Sequence, residues 1–320
     1  MSKKKGRFAP SPTGRMHLGN VVAALLSWVS AKRDGGSWLL RIEDLDPQRS
    51  RYEYARQIED DLSRLGLDWD EGGLDGIGQA GPYVQSMRGE FYEEALRRLD
   101  SQGLLYGCTC TRADILATQA PHQSDGRVVY SGRCRPAAEP PFASVLEPAS
   151  AAASATGEAG EGSDPLTAGR RPALRVAVGD EDIRFVDRYA GECVYNLRRD
   201  CGDFIVRRSD GAWAYQLAVV VDDALMGVTE VVRGEDLLLS TAQQIHLYRL
   251  LGYEPPEFAH FPLITNADGQ RLSKRDRAES LESLFARYTP REIIGMAAYR
   301  AGLIPEPMPV GPGEVLGFRF

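Results

Sequence analysis

Apolar and polar positions alternate along this chain in two registers, and their order predicts its architecture. Gly6–Ala9 reads as a buried strand, and Leu18–Lys32 as a helix with apolar residues on most faces. Ser37–Ile42 is a second strand that ends at an acidic turn, Glu43-Asp44-Leu45-Asp46-Pro47. Tyr54, Ala55, Ile58, Leu62 and Leu65 recur at helical spacing, as do Phe91, Ala95, Leu96 and Leu99. Strand, helix, strand, helix in that order predicts a parallel sheet with crossover helices. Ligands of such sheets gather at the carboxyl ends of the strands, where Ser11, His17 and Glu43 fall.

The pattern breaks after Tyr106. Pro136–Pro172 is dominated by Ala, Pro, Ser, Gly and Glu, a composition too poor in apolar surface to offset its ordering entropy, so a disordered insertion is expected there. Strand-like runs resume at Leu174–Val178, Ile183–Val186 and Phe204–Arg207. Ala214–Asp223 is predicted helical, Thr229–Val232 extended, Ser240–Leu251 a helix capped by Ser240, and Arg291–Ala301 a short helix.

Bulk composition narrows the class. The 320 residues suffice for about two domains with buried cores. A formal charge of −7 argues against a surface coated for nucleic acid, while 38 Lys and Arg leave room for a local basic patch. Met1-Ser2-Lys3-Lys4-Lys5 has no apolar core behind it, and the run Val21–Val29 is too short to span a bilayer. Five unevenly spaced cysteines do not suit a secreted disulfide framework, so a cytoplasmic protein without membrane contact is expected.

Two segments carry chemistry. Arg7–Asn20 passes from strand through a Pro- and Gly-rich turn into a helix, with His17 and Gly19 at the helix entrance. Unpaired N–H groups, the positive end of the dipole and an imidazole donor suit a polyphosphate there, although an ordinary turn and cap would use the same residues. Far downstream stands Gln270-Arg271-Leu272-Ser273-Lys274-Arg275. Together, H-L-G-N and R-L-S-K-R resemble the paired signatures of class I aminoacyl-tRNA synthetases. That resemblance implies a Rossmann-type α/β catalytic domain. It also implies ATP, with its magnesium, held by His17, Gly19, Asn20 and Lys274, with His17 and Lys274 catalytic. Asn20 stands where the family has a second His and keeps a hydrogen-bond donor, and Arg271 keeps the charge of a family Lys.

The flanking residues narrow the resemblance to glutamyl-tRNA synthetases. Arg-Phe-Ala-Pro-Ser-Pro-Thr-Gly and Arg-Ile-Glu-Asp-Leu-Asp are the matching runs. By that likeness Arg7 meets a side-chain carboxylate, Ser11 holds the amino acid with Phe8, Ala9 and Pro10 beside it, and Glu43 pairs with its ammonium. Tyr215 and Arg233 match two further contacts. A dicarboxylic substrate needs arginine forks, which bind carboxylates bidentately and keep their charge. Asp222-Asp223 reads as a structural cap rather than a metal site.

Cys108, Cys110 and Cys134 lie in one loop-rich segment and suit a structural zinc site, although a turn with buried thiols would also place them together. His122 is the usual chemical type for a fourth ligand and Tyr an uncommon one. The resemblance selects Tyr130, because the short paralogues called glutamyl-Q tRNA(Asp) synthetases carry C-x-C followed by Y-x-x-x-C, a pattern present here with a longer gap. Cys193 and Cys201 fall outside the cluster.

The expected organisation is then 1–105 for the first half of the catalytic domain, 106–200 for a zinc-bearing inserted subdomain, 201–256 for the second half, and 257–320 for the Lys274 loop and a short helical part without an anticodon-binding region. The implied activity is tRNA-independent activation of L-glutamate by ATP, followed by transfer to queuosine at the wobble position of tRNA(Asp). The partners would be ATP, L-glutamate and the anticodon arm of that tRNA, and a monomer is the expected state. Two alternatives stand beside it: a truncated glutamyl-tRNA synthetase charging a 3′ end, and a catalytically silent RNA-binding paralogue.

Overall fold

The computed structural model describes residues 3–117, 129–146, 171–263 and 280–318. Its first strand, β1 (Lys5–Phe8), leads into α1 (Leu18–Arg33), β2 (Ser37–Leu40), α2 (Tyr52–Leu65), the two-residue β3 (Glu71–Gly72) and α3 (Gly89–Ser101). Next come β4 (Leu105–Cys108), α4 (Arg112–Ala117), β5 (Ala173–Val176), β6 (Asp182–Asp187), β7 (Gly191–Asn196), α5 (Leu197–Asp200) and β8 (Phe204–Arg207). The chain continues through α6 (Tyr215–Leu225), β9 (Glu230–Gly234), α7 (Leu238–Leu251), β10 (Glu257–Phe261), α8 (Leu281–Phe285), α9 (Pro290–Arg300) and α10 (Pro312–Val315).

Seven strands form one sheet in the order β3-β2-β1-β9-β10-β6-β7, parallel throughout except for the β6–β7 hairpin at one edge. Strands buried on both faces read as continuous apolar runs, which is why Trp38, Leu39 and Leu40 of β2 are all fully buried. On one side α1 packs with α9 and α2 over Phe8, Trp38 and Val232; on the other, α3, α6 and α7 pack over Leu39, Val231 and Phe258. The nearly all-round burial of α1, from Val21 to Ala31, accords with apolar residues on most of its faces.

A second, antiparallel sheet, β4-β5-β8, carries the cysteine-rich segment. The backbone pairing cuts across the boundaries expected from sequence. β6 and β7, within 106–200, extend the large sheet, whereas β8, beyond residue 200, completes the small one. The stretch expected to be disordered is also partly anchored. Phe142 donates its N–H to Gly103 O at 2.7 Å and sets its ring edge-on to Tyr106, while Ser144 and Val145 hydrogen-bond the Asp100 carboxylate. Phe142 and Leu146 supply apolar groups that the surrounding Ala and Pro lack, while Val145 contributes its backbone N–H and leaves its side chain exposed. The rest of that stretch, 147–170, lies outside the described residues. Ser240 does not cap α7, which starts at Leu238 directly after a 3-10 turn at Glu235–Leu237.

Candidate active site

Where β1 and β2 end, the chain forms a cleft of about 470 Å³. Phe8, Ala9, Pro10, Ser11, His17 and Asn20 line it, with Arg15 and Ser280 at its margin. The run after β1 is held by β2's continuation: Arg41 donates its N–H to Phe8 O and Glu43 to Pro10 O, both at 3.0 Å. Expected residues from two separate motifs are thereby stitched together.

His17 is the N-cap residue of α1, in extended conformation. Its backbone N–H donates to Asn20 Oδ1 at 3.0 Å. Because that oxygen is turned to the helix end, the group Asn20 offers the cleft is its amide NH2, a donor. Gly19 works differently from expectation: a Cβ there would lie 3.0 Å from Cε1 and 3.1 Å from Nδ1 of His17, so the missing side chain makes room for the imidazole. The residue that follows the signature loop returns to the same place. Ser280 bridges His17, and Leu281 donates its N–H to Met16 O at 2.8 Å. Arg271 and Lys274 themselves lie outside the described residues.

Beneath the cleft lies a buried charge cluster. Arg41 is fully buried and pairs with Asp223 at 2.6 Å and Glu43 at 3.0 Å, and Arg7 reaches Asp223 at 3.5 Å. Burial alone would lower the Arg41 pKa, but Asp223, Glu43 and Asp222 raise it well above the ordinary value. Asp223 is held low against its burial by Arg41 and Arg7, while burial outweighs both arginines at Glu43 and raises it. Asp222 accepts from Arg88 Nε at 2.5 Å, Gln85 Nε2 at 2.8 Å and Tyr92 Oη at 2.9 Å. The Asp222-Asp223 pair is therefore a hub for three arginines rather than a helix cap. Two acids directly after the apolar run Leu217–Val221, on the same buried helix, were the signal for buried cations.

Arg233 ends β9 beside this cluster, with Tyr215 at the start of α6. Its Nε donates to His260 Nε2 at 3.0 Å, and its Nη2 to Thr241 Oγ1 at 2.6 Å and Gln244 Oε1 at 2.9 Å. Arg233 Nη1 and Arg7 Nε are buried and make no hydrogen bond, although the latter has its Asp223 ion pair. Burial foremost, and the like charge of Arg7, lower the Arg233 pKa, and an anion between the two would relieve both effects. His260, Asp187 and Gln244 carry no motif and were not singled out from sequence, and Arg41 opens the Arg-Ile-Glu-Asp-Leu-Asp run but was given no role there.

Among the described residues, one group of side chains has the geometry of a metal site: the sulfurs of Cys108, Cys110 and Cys134 lie within 4.8 Å of one another. Tyr130 Oη joins them, 3.5 Å from Cys108 Sγ and accepting the Cys134 N–H at 2.8 Å. Arg175 stacks on the Tyr130 ring at 3.7 Å. His122 lies outside the described residues, and Cys193 and Cys201 take no part in the cluster. No described helix is long and apolar enough to cross a membrane.

The model of the class I tRNA synthetase (E and Q) catalytic domain matches residues 3–307. The glutamyl-Q tRNA(Asp) synthetase of Symbiobacterium thermophilum is 47% identical over 97% of this chain and 90% of its own length. That of Nitratidesulfovibrio vulgaris is 44% identical over 98% and 91%. Among solved structures, a glutamate tRNA ligase from Elizabethkingia meningosepticum, in complex with its amino acid, superposes with a TM-score of 0.76 at 27% identity, covering the whole of this chain and 65% of that one. The chain is thus a ligase of the aminoacyl-tRNA synthetase type, and it belongs to the class I glutamyl and glutaminyl family, in the branch of the glutamyl-Q tRNA(Asp) synthetases.

Proposed function

We propose that this protein activates L-glutamate with ATP in the absence of tRNA, and transfers it from the adenylate to queuosine at the wobble position of tRNA(Asp). The observation that carries the first half is the charge cluster. Arg7, Arg41 and Arg233 face Glu43 and Asp223, three cations against two carboxylates. Glutamate, with two carboxylates and one ammonium, brings the complementary charge. In this reading Arg7 takes the side-chain carboxylate, Glu43 the ammonium, and Arg233, Tyr215 and Ser11 complete the pocket beside Phe8, Ala9 and Pro10.

Adenylate formation asks the protein for positioning and cationic stabilisation, because the carboxylate attacks the α-phosphate in line while pyrophosphate leaves with growing charge. His17 and the Asn20 amide would donate to the phosphates at the helix entrance, with Gly19 giving the imidazole its place. Lys274 would meet the same phosphates. It stands six positions before Ser280 at the cleft, a tether of at most roughly 20 Å. Magnesium would arrive with ATP.

The acceptor half rests on the names of the relatives. Queuosine presents a cyclopentenediol hydroxyl, which can stand where a ribose hydroxyl would otherwise attack the adenylate. Three thiols within 4.8 Å of one another, with a phenol oxygen 3.5 Å from one of them, support a structural zinc held by Cys108, Cys110, Cys134 and Tyr130.

The test is direct. Glutamate should support exchange of pyrophosphate into ATP without tRNA, and labelled glutamate should then appear in the anticodon fragment of queuosine-containing tRNA(Asp) after nuclease digestion. Exchange with aspartate or glutamine in place of glutamate would overturn the substrate. Label on the terminal adenosine of tRNA(Glu) would instead identify an enzyme that charges a 3′ end.

A further inference from the structure

Arg233 is fastened on every side but one. His260, Thr241 and Gln244 accept three of its five N–H groups, and Gln244 is itself held by Gln216 at 2.9 Å. The two on Nη1 remain, buried and without a hydrogen bond. The fastening starts two strands away. His260 is the register partner of Arg233 on β10, and its Nδ1 lies 2.6 Å from Asp187 Oδ2 at the end of β6. Asp187 also accepts the backbone N–H groups of Tyr189, Ala190 and His260, which fix its carboxylate. Asp187, His260 and Arg233 are all buried.

We propose that Asp187 and His260 are positioning residues for the amino-acid pocket: Asp187 fixes His260 as the Nδ1-protonated tautomer, and the bare Nε2 locks the guanidinium of Arg233 so that Nη1 faces the substrate carboxylate. The reasoning is one of hydrogen-bond polarity. An ionised carboxylate demands a proton on Nδ1, and the Arg233 Nε–H demands a lone pair on Nε2. Thr241 is consistent with this, since it accepts from Arg233 and directs its hydroxyl to Leu237 O at 3.1 Å, with His260 Nε2 also within 2.9 Å. Burial, reinforced by Arg233, lowers the imidazole to about 4, so it stays neutral. A reversed tautomer would set two N–H groups against each other and turn Arg233.

This inference rests on the reading that Arg233 meets glutamate, and the experiment separates the two. Asp187→Asn can keep its oxygen on the backbone N–H groups while its NH2 faces Nδ1, which moves the imidazole proton to Nε2. The KM for glutamate in pyrophosphate exchange should rise about tenfold or more, with the KM for ATP within about twofold. His260→Gln retains an acceptor for Arg233 and should stay within about threefold of wild type for glutamate, whereas His260→Leu should rise like Asp187→Asn. Equal glutamate KM values for the Gln and Leu variants, or ATP and glutamate KM rising together, would overturn the proposal. Should Asp187→Asn fail to fold, the two His260 variants decide the matter alone. Nitrogen-15 NMR of the wild-type imidazoles, assigned with His260→Gln, gives a readout independent of the reaction: a proton on Nε2 of His260 refutes the relay. Wild-type protein without glutamate-dependent exchange would strike the functional reading instead, and the NMR result would still decide the tautomer.

Discussion

Asp223 Oδ1 lies 2.6 Å from Nη1 of Arg41 and serves Arg7 as well, at 3.5 Å from its Nε. One carboxylate thus divides itself between two buried guanidinium groups from the ends of different strands. Arg41 in turn holds Glu43 through Nη2 at 3.0 Å and Nε at 3.3 Å. The chain Arg7–Asp223–Arg41–Glu43 ties the end of β1, the end of β2 and the last turns of α6 together. Removing either inner member would strand a buried charge, Arg7 without Asp223 or Glu43 without Arg41, which costs about 3–5 kcal/mol when one partner is lost. The cluster therefore fixes geometry where β1 and β2 end and is unlike a set of exposed ion pairs that could be exchanged freely.

Gly19→Ala should separate stability from activity. Position 19 is the second residue of α1, where Ala is favoured over Gly by about 1 kcal/mol in a helix interior and by less near an end. The new Cβ would come within 3.0 Å of the His17 ring, which must swing away. Thermal unfolding should hold or improve slightly, while pyrophosphate exchange falls about tenfold or more as the imidazole leaves its place. Unchanged exchange would show that His17 acts from another position.

Asp61 gives a pH prediction. Burial raises its pKa to about 6, with Arg15 only partly opposing it from 4.0 Å. A carboxyl whose folded pKa lies above its unfolded value binds more protons when folded, so its contribution is fully present below about 4 and is lost as pH rises through about 6. At pH 7 the ionised group is a burden, and Asp61→Asn should raise stability there by about 1–3 kcal/mol, with the gain vanishing near pH 4. Denaturant melts at the two pH values measure it. An equal gain at both would mean that the charge is not the cause.

The strand and helix order was legible because buried parallel strands and crossover helices announce themselves by period, as β1, α1 and β2 do. His17, Asn20, Ser11 and Glu43 were legible because a motif marks them. The charge cluster was only half legible. Arg7 and Glu43 sit in motifs, but Arg88, Gln85 and Tyr92 meet Asp222 from a different element, and no local spacing encodes such contacts. His260 was illegible for the same reason: its partners Asp187 and Arg233 are 73 and 27 residues away and are joined only by strand order. Composition misled at 136–146, where two apolar residues, Phe142 and Leu146, and the hydrogen bonds of Ser144 and Val145 to Asp100 suffice to dock the chain.

That docking sets how far the insertion can be trimmed. Replacing residues 147–170 with a short Gly/Ser linker should leave exchange near wild type, since loop length costs only a fraction of a kcal/mol per doubling. A deletion that starts at Ala137 removes Phe142 from Tyr106 and the Ser144 and Val145 contacts from Asp100, a buried carboxylate. It should lower the melting temperature by several degrees. Equal melting temperatures for the two deletions would show that the contacts to Asp100 and Tyr106 contribute nothing, and lost exchange in the shorter deletion would show that 147–170 has a role in the reaction.

Zinc at the thiol cluster makes a final prediction. Sulfurs that ligate one zinc at about 2.3 Å stand about 3.8 Å apart, and the three found here lie within 4.8 Å of one another. Freshly purified protein should hold about one zinc per chain. Tyr130 offers its phenol oxygen beside Cys108 while its ring stacks on Arg175 and its N–H donates to Cys201 O at 3.0 Å, so ligand and scaffold roles can be separated. Tyr130→Phe keeps the ring and should weaken zinc retention without abolishing it, whereas Cys108→Ser, Cys110→Ser or Cys134→Ser should release the ion. Because thiolates must shed their protons to bind, zinc should also be lost on acidification. At Cys134 burial opposes ionisation, but the Thr109 backbone N–H and the neighbouring thiols and phenol bring its pKa down to about 7. Metal analysis finding no zinc would remove the site, and a larger effect from His122→Ala than from Tyr130→Phe would transfer the fourth position to His122.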